Sequence, residues 1–395
     1  MAGSAQLRRQ LVAQLEDRGC LTSPAIRRAF LAVPRERFLS EIAEREGLER
    51  VYSDQAIVTR HDAQGAPASS SSQPAIMAAM LEQLELRRGH RVLEIGAGTG
   101  YNAALLARIV GAAGEVVSVE LDAATARAAR RALGSVESPA RVVHGDGRDG
   151  WPRGAPYDRV IVTASSPVVA RAWHDQLRDG GLLELPLVLD EVGSQMIVTL
   201  RKDGAGLRSE ALLYGGIMPL RDAPGAAVPA PPPTVSATER IGARSRSIAH
   251  LTAAALRGLS RARRQQLLAM VLSEPRRRAL GLRAPRHALG LYLTIEAPAG
   301  HFIGGWPRIG VMSSDADGLA LLAGGQKTFT RIEAYGSGDA EKLLLDLVER
   351  WKAVGRPPAT QLQVQVTFTA KGTSDVRLSW ACDRAASGTR TSAAV

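Results

Sequence analysis

Apolar residues recur at helical spacing near the start of the chain, at Leu7, Leu11, Val12 and Leu15 with charges between them, which predicts an amphipathic helix. A different pattern begins further on. Val92, Leu93 and Ile95 form an apolar run too short for a helix; it stops at Gly96, Gly98 and Gly100, and helical spacing resumes at Ala103, Leu105, Leu106 and Ile109. That order predicts a buried strand, a glycine turn and a helix start. A second strand is expected over residues 115–121, ending in Glu120 and Leu121, and a third strand end leads into Gly145-Asp146-Gly147. Strands alternating with helices in this way predict a doubly wound α/β domain, with its ligand crevice at the strand ends.

Upstream of the glycine turn, Ile76, Met77, Met80, Leu81 and Leu84 mark another apolar helix, preceded by Ser69, Ser70, Ser71, Ser72, Gln73 and Pro74. Taken alone, such a serine run is as compatible with a solvated loop that caps the helix, with Pro74 in its first turn, as with a functional loop. Downstream, a proline- and alanine-rich stretch at residues 223–238 reads as a linker. It divides residues 1–222 from a smaller α+β accessory domain at residues 239–383. In that domain residues 240–282 read as helices, one carrying Ile248, Leu251, Ala255 and Leu259, the next Leu267, Leu268, Met270 and Val271. Strand-like runs follow at residues 288–295, 308–312, 319–322 and 328–334. A strong amphipathic helix is expected over residues 340–354, then two alternating strands at 362–368 and 376–380. Residues 384–395 are small and polar and read as a disordered tail.

At 395 residues with 45% hydrophobic content, the chain fits two domains, and no stretch is apolar enough to span a bilayer. The charged first helix is not a signal peptide, so a cytoplasmic location is expected. Two cysteines and seven scattered histidines without a ligand-like spacing argue against a disulfide framework and a metal site. Charge is uneven: between residues 239 and 287 twelve arginines, including Arg276, Arg277 and Arg278, face two glutamates, which accounts for +10 of the net +11. A basic face of this kind suits an acidic peptide or nucleic acid, and equally a solvated arginine-rich helical surface.

The candidate chemistry lies at the strand ends. The spacing E-x-G-x-G-x-G differs from the dinucleotide fingerprint G-x-G-x-x-G, and Glu94 ahead of the first glycine suits a cationic ligand better than a pyrophosphate. Glu120 stands where such sheets place a carboxylate for a ribose diol, so an adenosine-type cofactor is expected. The order of elements looks like a class I (Rossmann-like) S-adenosylmethionine-dependent methyltransferase.

Longer stretches narrow the family. These are AIRRAFLAVPRERFL at residues 25–39, YSDQAI at 52–57, SSSQP at 70–74, VLEIGAGTGY at 92–101, VVHGDGRDG at 142–150, APYDRVIVTAS at 155–165, LRDGGLLELPL at 177–187 and MPLRD at 218–222. In order and spacing they resemble the protein L-isoaspartyl (D-aspartyl) O-methyltransferase family, with SSSQP where that family has T-I-S-Q-P or T-I-S-A-P. The resemblance implies S-adenosyl-L-methionine as cofactor, with Glu94, Gly96, Gly98, Gly100, Glu120, Leu121, Asp146 and Gly147 around it. It places Ser72 on the family's active-site serine, with Ser70 and Ser71 as further substrate contacts. A carboxylate acceptor is already ionised at neutral pH, so no general base is required, and Ser72 would orient it rather than act as a nucleophile.

Residues 58–72 are longer and more polar than the family's usual G-x-G-Q-T-I-S. In this the chain looks like the branch found with lanthipeptides, lasso peptides and graspetides, which implies methylation of an aspartate in a modified precursor peptide and closure to an aspartimide. Arg276, Arg277 and Arg278 would then engage acidic residues of that peptide. Repair of isoaspartate in damaged proteins is the alternative within the same resemblance. A nucleic-acid methyltransferase would explain the basic segment but lacks its usual N/D-P-P-Y/F motif, the chain reading Thr163-Ala164-Ser165-Ser166-Pro167 there. A small-molecule methyltransferase would leave Ser-Gln-Pro unexplained.

Overall fold

The apolar runs around the glycine turn become parallel strands buried on both faces, which requires helices above and below them. A computed structural model of the chain describes residues 3–62, 65, 67–221, 234–241, 244–304, 309–381 and 390–391. The N-terminal part contains α1 (Ser4–Asp17), α2 (Pro24–Ala32), α3 (Ser40–Glu46), α4 (Leu48–Val51), the strand pair β1 (Ile57–His61) and β2 (Pro67–Ser71), and α5 (Pro74–Gln83). The nucleotide-binding type of alternation follows in β3 (Arg91–Ile95), α6 (Tyr101–Val110), β4 (Glu115–Glu120), α7 (Ala123–Gly134), β5 (Arg141–His144), β6 (Tyr157–Val162), α8 (Arg171–Gln176) and β7 (Leu177–Val188). Two antiparallel strands, β8 (Gln195–Asp203) and β9 (Gly206–Tyr214), complete this part.

The C-terminal part begins with β10 (Thr234–Ile241), β11 (Arg244–Thr252), α9 (Arg261–Leu272), β12 (Arg276–Pro285) and α10 (Arg286–Glu296). It continues through β13 (Phe302–Ile303), β14 (Ile309–Met312), β15 (Gly318–Gly324), β16 (Thr328–Gly336) and α11 (Asp339–Ala353) to β17 (Leu362–Phe368), β18 (Ser374–Trp380) and β19 (Arg390–Thr391).

The main sheet has the order β19-β18-β17-β9-β8-β7-β6-β3-β4-β5. The five strands from β7 to β5 run parallel, and β3 lies between β4 and β6, so the chain leaves β3 toward one side and later returns on the other. That switch point fixes the ligand crevice at the carboxyl end of β3. Successive residues point to opposite faces. Val92, Ile161 and Ile197 pack beneath the N-terminal helices, while Leu93, Val160, Val162, Met196 and Val198 join a second core with Leu289 and Leu293 of α10 and Leu344 and Leu347 of α11. A five-stranded sheet, β12-β16-β15-β14-β13, completes the C-terminal part.

Several sequence expectations change here. Residues 288–295 form the helix α10 rather than a strand: all eight are buried, and an apolar run covered on every side carries no period that separates helix from strand. Residues 244–252, expected to be helical, pair with β10 as a strand. Arg276, Arg277 and Arg278 likewise sit on the edge strand β12, not on helices. The two closing strands, β17 and β18, expected within the accessory domain, extend the main sheet through β9. The linker stretch lies outside the described residues up to residue 233, and residues 234–238 belong to β10; of the expected disordered tail, only residues 390–391 are described, as β19. No described helix is long and apolar enough to cross a membrane.

One buried group makes the fold pH-sensitive. Glu184 on β7 is fully buried; among the described residues its Oε1 is met only by the Thr199 hydroxyl at 3.4 Å, and its Oε2 has no hydrogen-bond partner. Burial raises its pKa well above the ordinary 4.5, with the Thr199 hydrogen bond opposing. The folded chain therefore keeps its proton where the unfolded chain has lost it, so stability is full below about pH 4.5 and declines as pH rises toward the folded-state value. Glu184→Gln removes this titration. Its melting temperature relative to the parent is expected to climb in thermal melts as pH rises above about 4.5, and to level off once Glu184 is ionised in the fold. Two curves that stay parallel would show that Glu184 ionises as easily in the fold as outside it.

Candidate functional site

At the carboxyl end of β3 the chain reverses sharply into α6. Gly96 has φ +95°, and a Cβ there would sit 2.6 Å from Thr163 Oγ1; Gly100, at φ +87°, begins α6 with Ala129 only 3.3 Å from where its Cβ would be. The turn is tied to both neighbouring strands. Glu120, ending β4, accepts hydrogen bonds from the amides of Gly98 and Asp122, each at 3.0 Å, and Thr163, just past β6, donates its hydroxyl to the Gly96 carbonyl at 2.7 Å.

These strand ends open onto a cleft. It is lined by Gly96, Gly98, Asn102, Glu120, Leu121 and Gly147, by Ser69, Ser70, Ser71 and Ser72, and by residues 217–221. The serines are not a loop: they form β2 and its exit, paired with β1. Nor do they cap α5, whose N-cap is Gln73 with no side-chain hydrogen bond to the helix. The hairpin is anchored across the cleft by Arg60, which pairs with Asp122 and donates to Thr125 Oγ1 at 2.6 Å. Burial pushes the Asp122 pKa up, but hydrogen bonds from Thr125 and Arg60 outweigh it and hold the group at about 2.

The residues on either side of Ser72 are fixed from below. Arg35 donates through Nη2 to Ser71 Oγ at 3.2 Å and to the Ser72 carbonyl at 3.1 Å. Asp54 accepts from Gln73 Nε2 at 3.0 Å and from the Ala75 amide at 2.8 Å.

Of the candidate residues, Gly96, Gly98, Glu120, Leu121, Gly147, Ser70, Ser71 and Ser72 come together around the cleft. Glu94 does not line it. It is fully buried behind the turn, accepting from Asn102 Nδ2 at 2.7 Å and from the Ser118 hydroxyl; burial raises its pKa to about 7, with those two hydrogen bonds opposing. Its reach into the cleft is through Asn102. Gly100 shapes the turn without lining the cleft, and Asp146 is held by the amide and guanidinium of its neighbour Arg148. Arg276, Arg277 and Arg278 are elsewhere, on β12, where Glu341, Glu333 and Glu274 lie within ion-pair distance. Their charge is thus partly compensated within the fold. Sequence reasoning gave no site role to Thr163, Asn102, Arg35, Asp54 or Arg221; the fold brings Thr163, Asn102 and Arg221 to the cleft and sets Arg35 and Asp54 against the residues beside Ser72.

The cleft suits S-adenosyl-L-methionine. Glu120 offers a carboxylate already oriented by two amides, and Gly147, where a Cβ would collide with Ile95, leaves that wall free of side chain. Residues 6–217 match the family model of protein-L-isoaspartate(D-aspartate) O-methyltransferase (PCMT), more than half of the chain. The chain belongs to this family. As a PCMT enzyme it is a class I protein carboxyl O-methyltransferase with S-adenosyl-L-methionine as its cofactor. It is similar to protein-L-isoaspartate O-methyltransferase 1 of Rhodopseudomonas palustris (strain HaA2), 38% identical over 235 residues that cover 58% of this chain and 89% of the relative. The protein-L-isoaspartate O-methyltransferase of Methanothermobacter thermautotrophicus is 36% identical over 211 residues, covering 53% of this chain and 92% of the relative. A solved structure named protein-L-isoaspartate O-methyltransferase matches further, at TM-score 0.54 and 26% identity, covering 93% of this chain and 98% of the other. The PCMT resemblance therefore continues, at the level of the fold, into the C-terminal part.

Proposed function

We propose that this enzyme methylates the free carboxylate of isoaspartyl residues in proteins. The observation that carries the reading is one cleft lined both by Glu120 and the glycine turn and by the consecutive serines 69–72, with the exposed Arg221 also among its lining residues. Bound there, S-adenosyl-L-methionine supplies an electrophilic methyl group. Glu120 would hold the ribose hydroxyls, Gly96 and Gly98 would let the backbone come close, and Leu121 and Gly147 would lie on the adenine side. No histidine lines the cleft among the described residues, which agrees with an acceptor that arrives ionised and needs no proton removed. The serine wall orients the carboxylate, and the hairpin above it limits water, favouring a step in which opposite charges neutralise. Similarity to a solved protein-L-isoaspartate O-methyltransferase over 93% of the chain supports this acceptor, since it gives the C-terminal part a counterpart within that activity.

A second reading keeps the chemistry and changes the acceptor: an ordinary aspartate in a ribosomally made, modified precursor peptide, whose ester closes to an aspartimide. It is favoured by the departure at residues 58–72, where the cleft-facing hairpin carries extra serines. In that reading the exposed guanidinium groups of β12 contact acidic residues of the precursor.

Both readings give Ser72 the same work. Ser72→Ala is expected to lower turnover of an acceptor peptide by about tenfold, the effect of one hydrogen bond to a charged group, while S-adenosyl-L-methionine affinity stays within about twofold. The pair of measurements is a steady-state assay and a calorimetric titration. Unchanged turnover, also in the variant with Ser70, Ser71 and Ser72 all replaced by alanine, would reduce the serine wall to scaffolding.

A further inference from the structure

Arg35 is an unusual residue to find at 0% exposure. It lies in the short helical turn Arg35–Phe38, under the end of β2, with its guanidinium 5.6 Å from the centre of the Tyr101 ring, and Tyr101 lines the cleft. Among the described residues no carboxylate stands within ion-pair distance of it, and its Nε and Nη1 have no hydrogen-bond partner. Only Nη2 is engaged, by Ser71 Oγ and the Ser72 carbonyl. Burial lowers its pKa, opposed by Tyr101, Tyr52 and Asp54. A buried cation with two unpartnered nitrogens costs stability, and an apolar side chain of similar volume in its place often stabilises a fold. Arg35 does not itself line the cleft, but it holds Ser71 and Ser72, which do, and a group that costs stability beneath a cleft points to a role outside stability.

We propose that Arg35 is a positioning residue for methyl transfer: from beneath the serine strand it fixes Ser71 and Ser72 so that the Ser71 hydroxyl presents its proton to the acceptor carboxylate. The inference rests on the acceptor reading above and goes beyond it. Because Ser71 Oγ accepts from the guanidinium, its own proton is left to donate, and the adjacent positive charge makes it a stronger donor toward an anion. Once esterified, the acceptor carries no charge and this attraction falls away, so the same device favours product release.

The test separates this role from a structural one by opposing two readouts. Arg35→Met is expected to raise the melting temperature, or leave it unchanged, while raising the KM for an isoaspartyl test peptide by about tenfold and leaving S-adenosyl-L-methionine affinity within about twofold. Arg35→Lys, which keeps the charge without the planar fork, is expected to recover part of the KM. If Arg35→Met is not recovered folded, Ser71→Ala carries the test, with the same rise in peptide KM expected against an unchanged melting temperature. A parallel loss of stability, cofactor affinity and activity in the arginine variant, or a folded variant with parental KM, would overturn the inference. An inactive parental enzyme on the isoaspartyl peptide would overturn the acceptor reading and this inference with it, whereas an active parent with unaffected variants overturns the inference alone.

Discussion

A chain ended after Arg221 is expected to fail to fold, appearing as aggregate or as a species without a cooperative thermal transition. The relatives in R. palustris and M. thermautotrophicus align over 235 and 211 residues that make up most of their own lengths, so the catalytic layout alone does not require a long C-terminal part. In this chain, however, the sheet face carrying Leu183, Leu185, Met196, Val198 and Leu200 belongs to the same core as Leu289, Leu293, Leu344, Leu347 and Val364. β9 pairs with β17 at Arg208 and Leu207, and the Tyr214 hydroxyl donates to the His287 carbonyl. Truncation would bare that apolar face, at roughly 1.5–3 kcal/mol for each large side chain returned to water, against a total stability of about 5–15 kcal/mol for a typical domain. Circular dichroism and a thermal melt of the shortened chain decide the matter. A cooperative transition near that of the full chain would mean that residues 234–381 are an appendage with no share in the core.

The second large effect belongs to Glu120. Glu120→Ala is expected to weaken S-adenosyl-L-methionine binding by about 10- to 100-fold, from the loss of charge-assisted hydrogen bonds of about 1.5–3 kcal/mol. Two causes add. The ribose loses its acceptor, and the amides of Gly98 and Asp122 lose the carboxylate that sets the glycine turn and the start of α7. Glu120→Gln retains one acceptor oxygen and should fall between the parent and the alanine variant. Calorimetric titration of folded protein measures both, and equal affinities across the three proteins would remove Glu120 from the cofactor site.

The strand ends were legible in the sequence because their geometry leaves little choice: a turn at φ +95° against Thr163 admits glycine and little else, and short apolar runs between such turns read as buried strands. The family followed from motif order along residues 25–222. What the sequence hid are features set by pairing at a distance. Pro67–Ser71 has no apolar alternation, so its strand character comes only from β1 opposite it, and its place in the cleft from the Arg60 anchor. Residues 244–252 show a helix-like spacing that strand pairing with β10 overrides. Arg35 was visible as one residue in a matching stretch, yet nothing in its neighbourhood announces that it is buried beneath Ser71. The arginines of β12 read as a free basic surface because Glu333 and Glu341, which lie within ion-pair distance, come from β16 and α11, far along the chain.

The central claim is that this cleft transfers a methyl group to an isoaspartyl carboxylate. The most direct test incubates the full chain with S-adenosyl-L-methionine labelled in its methyl group and a pair of peptides identical except for one residue, isoaspartate in one and aspartate in the other. Base-labile label, as expected of a carboxyl methyl ester, should accumulate on the isoaspartyl peptide and stay at background on the aspartyl one. Folded enzyme that binds the cofactor yet leaves the isoaspartyl peptide unlabelled would contradict the account.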